Sequence, residues 1–171
     1  MELESPADAW YVWVGVAVVS VGVAGVAIGL PSQPPPDATE ASNAVDRVAA
    51  TQYGASATFE HDADSVRIGT RQIALRNDGG TAHASVAIAS MTPVDATDGR
   101  LHRAATGLLD GARVSAVIDQ HGFTSERDLR EAFATARTRL DREGTNWRVG
   151  DGRLRVRAVA LDGETVVLVD A

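Results

Sequence analysis

The chain has 171 residues, no cysteine, 23 acidic residues against 16 basic ones, and a formal net charge of −7. Without cysteine there is no disulfide framework and no thiolate ligand for zinc, haem or an iron–sulfur cluster, and the acid excess argues against a nucleic-acid partner, which wants a basic face. Every basic residue is arginine, the acids are mostly aspartate, and aromatics make up 5% of the chain. This composition suits a salt-rich cell, where acidic surfaces stay hydrated and screening limits their repulsion to a few ångströms.

Residues 1–8, MELESPAD, form an acidic tail. Residues 9–30 follow without a charge. As a helix they would rise about 33 Å, enough for a hydrocarbon layer of about 30 Å, so a single N-terminal transmembrane helix is predicted. Trp10, Tyr11 and Trp13 suit an interface at its start, and Pro31 stops it. Gly15, Gly22, Gly25 and Gly29 line up along one side of the helix as a seam that admits a second helix. Genomic preference for Gly, Ala and Val is the compositional alternative. The absence of a basic region ahead of the span argues for an uncleaved anchor.

Residues 31–37 read as a proline-rich stalk of polyproline II character, with residues 38–171 as one soluble domain. Asp37 and Glu40 form a capping box for a helix over about 38–52. Residues 55–90 read as a four-stranded antiparallel meander, with Asn77-Asp78-Gly79-Gly80 its strongest turn. Residues 99–109 suit a short helix, and 112–119 fit strand or helix equally. Ser125 and Asp128 open an amphipathic helix over about 126–143. Trp147 is expected to plug the edge of the core. Asp162-Gly163 joins two final strands in a primed-turn hairpin. The fold class predicted is α+β: a transmembrane helix, then antiparallel hairpins packed with two or three helices.

Candidate chemistry is sparse. His61, Asp62 and Asp64 sit in a turn, where Asp bonds its own backbone, and match no metal-ligand spacing. Asp78-Gly79-Gly80-Thr81 lacks the lysine of a phosphate loop and precedes a strand. No G-x-S-x-G elbow exists. No catalytic residue, metal or cofactor is therefore predicted. Arg153, Arg155 and Arg157 alternate on one sheet face, as a comb for an anionic glycan or lipid or as a solvated face paired with acids.

The stretches Glu4–Trp13, Leu30–Asp37 and Arg76–His83 resemble a family of small haloarchaeal membrane proteins. Genes of that family stand beside a type II/IV secretion ATPase and its membrane platform, the engine of archaeal type IV pili. The resemblance runs over nearly the whole chain and carries no catalytic residues. It implies a non-enzymatic accessory component of a pilus or secretion system, minor-pilin-like, although the acidic tail and proline stalk depart from polymerising pilins. Expected partners are the lipid bilayer and either a transmembrane helix of such a complex or a second copy of the chain. The expected location is the cell membrane, single-pass. The stalk and acidic domain favour an extracytoplasmic domain, whereas the first base, Arg47, leans the other way.

Overall fold

The computed structural model describes residues 7–28, 33–51 and 54–171, and the side chains of 10–25 within the first helix. Two units are present, Met1–Gln33 and Pro34–Ala171. The first holds helix α1, Ala7–Ile28. Its described side chains are exposed all along, Trp13 and Val21 at 74% each.

The predicted transmembrane, single-pass helix is corrected here. Among the described residues no helix is long and apolar enough to cross a membrane. Helix α1 starts two residues before the predicted span, so its first turn takes in Asp8. Gly29, Leu30, Pro31 and Ser32, and the acidic tail up to residue 6, lie outside the described residues.

The second unit is α+β. Helix α2 spans Ala38–Ala49, followed by strands β1 (Ser56–Glu60), β2 (Ser65–Ile68), β3 (Gln72–Asn77), β4 (Gly80–Ser85) and β5 (Met91–Pro93). Helices α3 (Gly99–Leu109), α4 (Val114–His121) and α5 (Glu126–Glu143) come next, then β6 (Arg148–Val149), β7 (Arg153–Leu161) and β8 (Glu164–Asp170). The strands form two four-stranded sheets, ordered β1-β7-β8-β5 and β4-β3-β2-β6.

Alternation along β7 and β8 sets the layers. Leu154, Val156, Ala158, Val167 and Val169 enter one core with α2, Val66, Ile73 and Leu75. Val159, Leu161, Val166 and Leu168 enter a second core with Leu108, Val117, Leu129 and Phe133 of the later helices. The first sheet is therefore covered on both faces, and β8 reads as an unbroken apolar run for that reason. Its hairpin with β7 turns at Asp162 (φ 51°) and Gly163 (φ 79°), the left-handed pair that a type I′ turn requires.

Helix α2 is fixed at both ends. The Asp37 carboxylate accepts from the Glu40 N–H at 2.8 Å. The Asp46 carboxylate accepts from the N–H groups of Ala87 and Ile88 at 3.1 and 2.9 Å, pinning the segment after β4. Ahead of the helix, Pro36 is buried and the Pro34 carbonyl accepts from Asn77 Nδ2 at 3.1 Å. This half of the proline run is docked on the β3–β4 turn.

The expected four-stranded meander is not formed, because β1 pairs with β7, Ser56 opposite Arg157 through Glu60 opposite Arg153. The segment 61–64 is not a tight turn. Its backbone bonds the β6–β7 connection, His61 N–H to Gly152 C=O at 3.0 Å and Gly150 N–H to Asp64 C=O at 2.9 Å, and so carries the chain from one sheet to the other. Residues 114–121 are helical, with Val117 buried and Gly122 (φ 70°) as the left-handed cap.

Leu168 is fully buried in the second core, on the strand that both layers share. Leu168→Ala should lower stability by about 2–5 kcal/mol, read as a fall in the urea midpoint with unchanged m-value. A loss under about 1 kcal/mol would show that the second core collapses around the cavity.

Candidate functional site

The predicted arginine comb is split by its surroundings. Arg155 lies between two carboxylates, Nη1 2.8 Å from Asp110 Oδ1 and Nη2 2.5 Å from Asp170 Oδ2. Its pKa is held above the ordinary arginine value, chiefly by the hydrogen bond to Asp170. Arg157 lies at Gly111, where Nη1 is 3.1 Å from the position that a Cβ would take. Arg153 is exposed, and its backbone N–H donates to the Asp151 carboxylate at 2.9 Å. Among the described residues, Arg155 is the member of the three that forms ion pairs.

In α1 the seam glycines Gly15, Gly22 and Gly25 have no atom within 4 Å of where a Cβ would stand, and Gly29 lies outside the described residues. The histidines do not converge: among the described residues no group of three or more His, Cys, Asp or Glu is placed to hold a metal ion. His102 Nδ1 lies 3.1 Å from the Val94 carbonyl, to which it donates. His61 Nδ1 accepts from the Ala63 N–H at 3.2 Å, which puts the proton on Nε2, and that atom is buried with no hydrogen-bond partner among the described residues. Burial lowers the His61 pKa, against the opposing pull of Asp151 and Asp62. The Asp78-Gly79-Gly80 turn is structural, with Asn77 Oδ1 accepting from the Gly79 N–H at 2.8 Å.

A cleft of about 410 Å³ is lined by Asp95, Asp98, Glu143, Arg139 and Arg148. Its arginines are spent on neighbours. Arg139 reaches Asp98 at 2.8 Å and the Ala96 carbonyl at 2.7 Å, and Arg148 reaches Asp95 at 2.5 Å. Burial raises the Asp95 pKa, and Arg148 opposes it.

The outer face of the second sheet is different. Register places Val149, Ser65, Arg76 and Thr81 in one row across the strands, and Arg67, Ala74 and His83 in the next. Trp147 continues that second row, one residue before β6. Both guanidiniums stack on its ring, Arg67 Cζ at 4.9 Å and Arg76 Cζ at 4.4 Å from the centroid. Ala74, at the centre, is buried, whereas Val149 is 86% exposed. None of these residues is an acid, and among the described residues neither Arg67 nor Arg76 forms a salt bridge. Trp147 thus lies on the solvent side of the sheet rather than plugging the core, because it shares the face of Arg67 and not that of Val66. Sequence reading misses this group, since the arginines come from two strands and the tryptophan from the residue before a third. A two-residue turn at Gly69-Thr70 would pair Arg67 with Gln72; the turn lies one residue on, with Gly69 N–H donating to the Gln72 carbonyl at 2.8 Å, and so pairs Arg67 with Ala74 and puts Arg76 on the same face.

The fold and these surfaces define an α+β domain, with a predominantly apolar helix ahead of it in the chain. The chain belongs to a family of unknown function, DUF7283, whose model matches residues 4–159. Neither a curated protein nor a solved structure matches it.

A histidine whose folded pKa is depressed contributes stability above its unfolded pKa of about 6.5. That contribution is lost as pH falls from there through the folded value, since the unfolded state binds more protons. The melting temperature should therefore fall between about pH 7.5 and 5.5. His61→Asn keeps an acceptor for the Ala63 N–H and should flatten that slope. Equal slopes in variant and parent would assign the effect to other groups.

Proposed function

We propose that this protein is a non-enzymatic interaction protein, an accessory, minor-pilin-like component of a pilus or secretion assembly. The observation that supports it is helix α1. From Trp10 to Gly25 its described side chains are exposed on every side, with no polar face to turn outward. Leaving a large aliphatic or aromatic side chain in water forgoes about 1.5–3 kcal/mol each, so such a helix reaches its stable state inside an assembly. The open positions at Gly15, Gly22 and Gly25 favour a second helix as the cover, since small residues let two backbones approach. The resemblance to haloarchaeal proteins encoded beside secretion ATPases supports the kind of assembly.

The test is a photo-reactive residue at Val21 in the full chain, irradiated in native cell extract at high salt. Adducts with secretion-platform proteins, pilin-like proteins or a second copy are expected. The triple variant Gly15→Leu, Gly22→Leu, Gly25→Leu should cut their yield severalfold, because leucine fills the groove. No protein adduct above the unirradiated control would overturn the reading.

A further inference from the structure

The outer face of the second sheet carries an interaction site that α1 does not account for. We infer that Arg67, Arg76, Trp147 and Val149 form a docking surface for an acidic protein segment. This proposal deepens the interaction reading but rests on a different surface.

Charge is the first argument. In a chain of 23 acids and net charge −7, the rows through Val149 and Trp147 hold two arginines and no carboxylate. Several arginines elsewhere are met by the chain's own acids: Arg155 by Asp110 and Asp170, Arg148 by Asp95, Arg139 by Asp98, Arg130 by Glu164. Arg67 and Arg76 instead lie against the Trp147 ring, at 4.9 and 4.4 Å. Stacking on the aromatic face costs a guanidinium none of its in-plane N–H donors. Both cations are thus held in place with their donors unspent, the preparation that bidentate capture of a carboxylate requires.

Composition is the second argument. Tryptophan and arginine are the residues that dominate binding energy at protein interfaces. Beside them Val149 is 86% exposed on the same row as Arg76, an apolar contact with nothing in the described chain to cover it. A nucleic acid fits less well, because the remainder of this acidic chain would repel its backbone. An acidic glycan would want the ring face of Trp147, which the two arginines occupy.

The experiment uses the full chain, kept monodisperse in non-ionic detergent, with poly-L-glutamate as the probe and fluorescence anisotropy as the readout. Binding should weaken as salt rises from about 0.1 to 1 M, where the screening length falls from about 10 to 3 Å. Arg67→Gln with Arg76→Gln should weaken it about tenfold, and Trp147→Ala severalfold, with far-UV circular dichroism unchanged. Arg153→Gln with Arg157→Gln should leave it as it was. Equal loss in both double variants would reduce the effect to net charge and overturn the site. Preference for oligogalacturonate or single-stranded oligothymidylate over poly-L-glutamate would overturn the choice of occupant. Because α1 is untouched in these variants, failure here leaves the cross-linking result standing, and the converse holds.

Discussion

Strand β8 is the constraint on which the folded unit depends. Its residues Val166 to Val169 are all buried, and they alternate between two cores. A strand that is apolar on both faces needs a layer on each side. Helix α2 and the second sheet supply one layer; α3, α4 and α5 supply the other. The chain lays down α2 and β1 to β5, crosses to the three helices, and only then makes the central β7–β8 hairpin. Strands β1 and β5 therefore wait for partners that lie about seventy or more residues on, Phe59 for Leu154 and Met91 for Val167. Long-range pairing of this kind slows folding, since loop closure must precede the contacts that reward it.

What was legible in the sequence was local. The helix from Glu126 to Glu143 is marked at both ends, by Ser125, whose side chain accepts from the Asp128 N–H, and by Gly144 at φ 80°. Its stripe of Leu129, Phe133 and Ala136 is the buried face. The Asp37 cap and the two left-handed turn residues Asp162 and Gly163 were legible for the same reason: each is a short-range bond or a steric demand on one residue. What was not legible was non-local. Ala57 and Phe59 alternate as any strand would, and nothing in that alternation tells β2 from β7 as the neighbour. The reading of residues 9–30 rests on length, the lack of charge and the flanking aromatics and proline, none of which describes how the residues are placed. Val114 to Ile118 carries too few residues for its period to decide between strand and helix.

The candidate surfaces divide along the same line. An alternating triplet such as Arg153, Arg155 and Arg157 is visible in one strand, but its meaning depends on what lies opposite. Asp110 at the end of α3 and Asp170 at the end of β8 neutralise the middle member from two separate parts of the chain. Arg67 and Arg76 attract no notice in sequence, and the hairpin between them brings both onto one tryptophan. Pairing with acids removes a cation from recognition, whereas stacking on a ring leaves its hydrogen-bond donors free.

The layer order explains where a free face can exist at all. Both faces of the central β7–β8 hairpin are engaged, one by each core. The second sheet is needed on one face alone, where Val66, Ile73 and Leu75 join the first core. Among the described residues its other face contributes to neither core, although Ala74 is buried there. Selection for stability alone would leave such a face like the rest of the surface, dense in acids and poor in apolar groups. Its rows through Val149 and Trp147 hold two ring-stacked arginines, an exposed valine and, among the described residues, no carboxylate. A net charge of −7 keeps copies of this chain apart in general, and this face is where that repulsion is locally relieved. The same architecture that hides β8 between two cores thus leaves one sheet surface whose composition burial does not dictate.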